Sequence, residues 1–123
     1  MPAKRIQLSR SRGWRMPPNA RKVDRTTKWG NPFRIGQIAL HPLTMRSVHV
    51  ANAEIAVTLF AAYLDTREGV ALLDVARNEL RGKDLACWCK PGNACHGDVL
   101  LRAIYEPAVR QAAYPFRVKC IDK

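Results

Sequence analysis

The sequence predicts a small, single-domain α/β fold: a short sheet flanked by about three helices. Three observations lead there. Apolar residues recur at helical spacing in three separate stretches after residue 47. Short runs of strand-like composition stand at both ends of the chain and before the third helical stretch. A chain of 123 residues, 47% of them apolar, is the size of one packed core and too short for two. Strands interleaved with helices favour a sheet covered by helices over a bundle or a sandwich.

Arg5-Ile6-Gln7-Leu8-Ser9 reads as the first strand, with Ile6 and Leu8 on one face. The chain then runs to Phe33 with little periodicity. Pro17-Pro18 forbids helix there, and Val23 marks a second short strand. A long irregular stretch inside a compact domain is usually functional or disordered, and the Trp and Phe content of this one argues for function. From Ser47 the pattern changes. Ala51, Ile55, Leu59 and Ala62, joined by Phe60 and Tyr63, predict a helix over 49–65. Leu73, Ala76 and Leu80 predict a second over 68–80, with Gly82 as its stop. Asp84 to Cys89 reads as a strand, Lys90-Pro91-Gly92-Asn93 as a turn, and 97–110 as a third helix with Val99, Leu100, Ala103 and Ile104 inward. Phe116 to Ile121 alternates like a last short strand. The chain thus divides into a basic strand-and-loop segment (1–34), a helical and Cys/His-loop portion (47–110) and a C-terminal extension (111–123), without repeats or low-complexity tracts.

Charge is the next constraint. The net charge is +11, and residues 1–34 carry ten Lys/Arg against the single acid Asp24. Such a segment suits a polyanion: nucleic acid, nucleotide phosphates or ribosomal RNA. A solvated basic tail would satisfy the charge alone, but it has no need of the interleaved Trp14, Trp29 and Phe33. No apolar run reaches the ~18 residues of a membrane span, and the basic start of the chain is not followed by the apolar stretch of a secretory signal. The expectation is a cytoplasmic protein with reduced thiols and no membrane partner.

The most specific local feature is Cys87-Trp88-Cys89-Lys90-Pro91-Gly92-Asn93-Ala94-Cys95-His96. Two chemistries compete for it. In the first, Cys87, Cys89, Cys95 and His96 are zinc ligands, a soft N/S donor set, although the spacing is not the usual Cys-x2-Cys knuckle. In the second, a strand–loop–helix active site places Cys95 and His96 at a helix start, where backbone N–H groups favour a thiolate. Cys95 is then the candidate nucleophile, His96 the acid or base, and Asp98 a member of the same first turn. The plain alternative is that Cys87 and Cys89 are small core residues, with Trp88 facing an opposite helix layer.

Lys28-Trp29-Gly30-Asn31-Pro32-Phe33 is the second constellation. Trp29 offers a flat face for a base, Asn31 offers donors and acceptors for a base edge, and Gly30 permits an unusual backbone angle. The competing reading is a structural turn whose Trp29 and Phe33 plug the core.

Together the runs Arg12-Gly13-Trp14-Arg15-Met16-Pro17-Pro18-Asn19, Lys28 to Phe33, Leu80 to Cys89 and Cys95-His96-Gly97-Asp98-Val99-Leu100-Leu101 resemble the family called domain of unknown function 4326, whose members occur in bacteria and many bacteriophages. The resemblance runs from about residue 4 to 104. One departure is Gly97, where Ala is the commoner expectation. The resemblance implies that both loops are signatures and converge on one site, and it supplies no reaction. The Cys…Cys-His run is also similar to another α/β family in which Cys-His-Arg opens a helix after a strand, and that similarity implies a Rossmann-like sheet with a pocket at its strand ends.

Two functions follow as expectations. The first is an enzyme acting on a nucleotide or nucleic-acid base, by glycosidic-bond chemistry or base modification. Trp14, Asn19, Trp29 and Asn31 would contact the ligand, Arg12, Arg15 and Lys28 would hold phosphate, and Cys95, His96 and Asp98 would carry the chemistry. The second is a non-catalytic nucleic-acid-binding module with structural zinc. A phage-type protein that engages a host protein through its basic face ranks behind both.

Overall fold

The structure, a computed structural model, describes residues 3–90 and 92–105. A three-stranded parallel sheet carries the site. Its strands are β1 (Arg5–Gln7), β2 (Ala20–Lys22) and the central β5 (Asp84–Cys87), in the order β1-β5-β2. Arg5 lies opposite Leu85 and Gln7 opposite Cys87 on one side; Ala20 lies opposite Asp84 and Lys22 opposite Ala86 on the other. The ladders continue one residue beyond the strands, through Leu8 N–H to the Cys87 carbonyl and Val23 N–H to the Ala86 carbonyl, both at 2.8 Å. Leu85 and Ala86 are fully buried, as a central parallel strand requires, which is why Leu85-Ala86-Cys87 shows no polar alternation.

Between β2 and β5 the chain builds a hairpin and two helices. The hairpin, β3 (Ile38–Leu40) antiparallel to β4 (Ser47–His49), has no counterpart in the sequence reading. Its inward residues are the small Ala39 and Val48, while Ile38 and Leu40 face solvent, 68% and 53% exposed. The larger apolar residues therefore sit on the wet face, and the usual alternation signal is inverted. Ala39 and Val48 pack with Phe33, Val50, Ala56 and Leu59 into a second, smaller core.

α1 (Ala53–Tyr63) starts where Asn52 accepts the Ile55 N–H at 2.9 Å. A single stripe was expected, with Ala51 in it; instead Ala51 is exposed and every residue from Ala56 to Ala62 is buried. The reason is placement: α1 packs on α3 on one side and on the hairpin's core on the other. α2 (Arg67–Leu80) follows after three residues, capped by Thr66. Gly69 makes that tight passage feasible, since a Cβ there would lie 1.9 Å from the Tyr63 carbonyl oxygen. Leu73, Ala76 and Leu80 form its buried stripe as read from the sequence, and Gly82 follows with φ +83°. α3 (His96–Tyr105) buries Val99, Leu100, Ala103 and Ile104. The end of the expected 97–110 helix and the expected strand at 116–121 lie outside the described residues. Among the described residues, no helix is long and apolar enough to cross a membrane.

Candidate functional site

The parallel strands β2 and β5 end side by side, so the loops that leave them rise on the same edge of the sheet. Between these loops and α1 lies a cavity of about 350 Å³. The loop after β2 contributes Asp24, Arg25, Thr26 and Asn31; the end of β5, its loop and the first residue of α3 contribute Cys87, Trp88, Cys89, Ala94, Cys95 and His96. Ala53, Ala56 and Val57 of α1 and the exposed Ile35 complete the wall. The bend holding Trp29-Gly30-Asn31-Pro32-Phe33 and the sulfur-rich bend thus share one hollow.

The sulfurs of Cys87, Cys89 and Cys95 all lie within 4.8 Å of one another. β5 ends at Cys87, and the turn closed by Asn93 N–H on the Lys90 carbonyl brings Cys95 back to it. The Gly97 N–H donates to the Cys95 sulfur at 3.4 Å. The Cys95 thiol donates toward Cys87, and together with the backbone N–H groups of Cys89 and Trp88 it draws Cys87 down to about 5 against its burial. Cys95 is pushed up by that same bond to Cys87 and by burial, and Cys89 is pushed up by burial. The sequence placed the candidate nucleophile at Cys95; the folded chain couples it to Cys87, with Cys87 drawn down and Cys95 pushed up.

His96 lines the cavity but stands outside the sulfur group, contrary to its assignment as fourth zinc ligand. Its Nε2 lies 2.6 Å from the Val23 carbonyl, and its ring meets Phe60 edge-on at 5.4 Å. A carbonyl only accepts, so Nε2 carries the proton and Nδ1 keeps its lone pair. Burial holds the imidazole below its usual range, which makes it neutral at physiological pH. Asp98 does not line the cavity; it pairs with Arg5, whose Nε lies 3.2 and 3.3 Å from its two carboxylate oxygens.

The cavity's aromatic wall is Trp88, not Trp29. Trp29 is 5% exposed and belongs to the main core, and Lys28 caps its ring at 4.8 Å while pairing with Glu79 at 3.2 Å. Trp88 is 37% exposed on the cavity edge. Its indole N–H donates to Asp24 Oδ2 at 2.9 Å, and the Arg10 guanidinium lies over its ring at 4.3 Å. Asp24 is held by Thr26 as well, through N–H and hydroxyl on Oδ1 at 3.1 and 2.5 Å. Burial opposes its charge, but these bonds, with Lys22 nearby, keep the carboxyl below its ordinary value.

Asn31 reaches the wall with both ends of its amide engaged: Nδ2 donates to the Ala56 carbonyl at 3.0 Å and Oδ1 accepts the Phe33 N–H at 2.9 Å. It joins the loop to α1. Arg25, also on the wall, donates to the carbonyls of Asn31 and Phe33. Gly30 serves close approach and not an unusual angle: a Cβ there would stand 2.5 Å from Arg25 Cα. Asn19 ties the start of β2 to Gly82, donating to its carbonyl at 2.9 Å. Arg12, Trp14 and Arg15 are exposed on the preceding loop and do not line the cavity.

Asp24, Arg25, Trp88, Arg10 and Arg5 are thus the site-building residues that the sequence reading missed. The available signal was the lone acid in a basic segment, since a buried carboxylate among cations needs partners. For Trp88 the strand alternation misled, because β5 stops at Cys87 and the residues beyond it no longer alternate.

The fold and the site define a small α/β domain with a three-cysteine cavity at the carboxyl ends of its parallel strands. The chain belongs to the family described as Domain of unknown function (DUF4326), whose model matches residues 6–106 of the 123. No curated protein and no solved structure matches it.

Proposed function

We propose that this protein acts on a nucleotide or nucleic-acid base held in the cavity, as an enzyme of base modification or glycosidic-bond chemistry. The observation that supports it most directly is the composition of the cavity wall. An aromatic face, a neutral imidazole and three convergent thiols surround an apolar hollow of a size that suits a small ligand. Trp88 supplies the stacking face, fixed in place by Asp24. Arg10 beside that face and Arg25 on the wall supply the positive charge that a phosphate needs. His96 Nδ1 is the acid–base group. The three sulfurs are a donor set for a soft cation, and zinc is the ion we assign to them.

The test is a binding screen of nucleobases, nucleosides, nucleotides and short oligonucleotides by thermal shift and calorimetry, followed by product analysis of every binder. A base-bearing ligand that stabilises the wild type and loses affinity in Trp88→Ala supports the proposal. If none of them stabilises the protein, the proposal fails.

The basic arm favours a second reading, a non-catalytic nucleic-acid module in which the sulfurs are architecture. Oligonucleotide binding that is indifferent to Trp88→Ala and His96→Gln, and without any product, would favour it over the enzyme.

A further inference from the structure

We infer that Cys87, Cys89 and Cys95 form a mononuclear three-thiolate zinc centre whose fourth position opens into the cavity, with the buried Arg5 guanidinium as its counter-charge. This rests on the zinc assignment above and goes beyond it in ligand number, in exclusion of His96 and in the role of Arg5.

The sulfur spacing points to a single ion. Two thiolates on one tetrahedral zinc, each bonded at about 2.3 Å, stand about 3.8 Å apart. The three sulfurs already lie within 4.8 Å of one another, so small side-chain movements close the site. A four-iron cluster places each thiolate on a different iron and a two-iron cluster divides them between two, so either needs at least one sulfur farther from the others. No His, Asp or Glu atom among the described residues joins the group. His96 is committed through Nε2 to the Val23 carbonyl. All three cysteines line the cavity, so a fourth ligand has its approach from there. Structural zinc sites are closed by four protein ligands, whereas catalytic ones keep one position for water or substrate. The ligand class that fits this position is a small soft or anionic donor: water, a thiol, or a ring nitrogen of the bound base.

Arg5 is the independent observation. Three thiolates on one divalent ion leave a net charge of −1, which is costly in a half-buried setting unless it is compensated. The Arg5 side chain is 3% exposed, and its Nη1 is buried with no hydrogen-bond partner. Its stem lies against the start of α3: a Cβ on Gly97 would meet Arg5 Cδ at 3.0 Å and the Cys95 sulfur at 3.5 Å. Asp98 fixes the Nε side and leaves Nη1 as an unspent buried donor, on a side chain whose stem shares the Gly97 surface with the Cys95 sulfur and whose charge acts on Cys89. Metal centres use such outer groups to hold and tune their ligands.

The experiment loads the reduced full-length chain with Co²⁺ and, separately, Zn²⁺. One equivalent should bind, with the visible bands of tetrahedral cobalt and a near-ultraviolet thiolate band of three-sulfur intensity. X-ray absorption of the zinc form should count three sulfurs and one light atom, without imidazole scattering. Added azide or a small thiol should shift the cobalt bands. His96→Gln and Cys120→Ser should keep the spectrum, Cys120 lying outside the described residues. Arg5→Met should weaken cobalt binding about 10–100-fold, and Arg5→Lys should recover most of it. Absence of metal binding, loss of the site in Cys120→Ser, imidazole scattering, or bands unmoved by azide and thiol would each overturn the inference. A protein that binds nucleotides but no metal loses only this inference; one that binds metal but no base-bearing ligand loses the function proposed above.

Discussion

The indole N–H of Trp88 donates to Oδ2 of Asp24 at 2.9 Å, across 64 residues of sequence. That bond locks the loop after β5 to the loop after β2 at the mouth of the cavity. The only acid in the first 34 residues is thus a brace for the site's aromatic wall, and the segment's positive charge is arranged around it.

Removing the brace should cost stability and ligand binding together. Asp24→Ala leaves the Trp88 indole and the Thr26 N–H and hydroxyl without their acceptor, which should destabilise the fold by about 1–3 kcal/mol. Urea denaturation measures this, and the affinity for a base-bearing ligand should fall in the same variant. A variant as stable as the wild type would show that the brace is dispensable.

Acid should weaken the fold through three depressed groups, His96, Cys87 and Asp24. Burial depresses His96, so below the ordinary value of 6.5 the unfolded chain takes up a proton that the folded chain refuses. Its contribution is complete above that pH and declines as pH falls. Asp24 is also depressed, so its contribution is complete above 3.8 and is lost as pH falls through its lower folded value. Cys87, drawn down to about 5 from the ordinary 9.0, loses its contribution over the same window, so urea midpoints between pH 8 and pH 5 should decline in the wild type and decline less steeply, without flattening, in His96→Gln.

Two glycines should resist replacement for steric reasons. Gly30→Ala sets a Cβ 2.5 Å from Arg25 Cα, and Gly69→Ala sets one 1.9 Å from the Tyr63 oxygen. Backbone has to move in both, at about 1–3 kcal/mol or more each. Thermal melts should show the larger loss for Gly69→Ala, and Gly30→Ala should also lower ligand affinity because Arg25 lines the cavity.

Zinc should raise the melting temperature of the reduced protein, and a chelator should reverse the rise. Free zinc at about 100 times its Kd adds about 2.7 kcal/mol. Cys87→Ser, Cys89→Ser and Cys95→Ser should each abolish the response, since all three sulfurs share the cluster.

If an oligonucleotide binds, its affinity should fall steeply with salt. Arg12→Ala and Arg15→Ala, at exposed positions outside the cavity, should each reduce the slope of log K against log salt by about 1 without changing base preference.

The helices were largely legible because their signals are local. Leu73, Ala76 and Leu80, or Val99, Leu100, Ala103 and Ile104, declare one buried face at a period that no strand shares. α1 was legible as a helix but not in its environment, because a helix buried on both sides has no stripe to read. The hairpin was hidden for the opposite reason: its large residues, Ile38 and Leu40, face water.

In the site, residue types were readable and their employment was not. Cys87, Cys89, Cys95 and His96 announced chemistry by density, and the Trp29 to Phe33 run announced a special turn. That Trp29 is core while Trp88 walls the cavity depends on where β5 ends. That Asn31 ties its loop to α1, and that Arg5 lies buried beside Gly97, depend on contacts spanning 25 and about 90 residues. Sequence alone determined the α/β class, the helices, the cationic first quarter and the sulfur-rich loop, because composition and short-range periodicity are properties of neighbours. The parallel order β1-β5-β2 decided the cavity, since only pairing between distant strands could bring two loops to the same sheet edge.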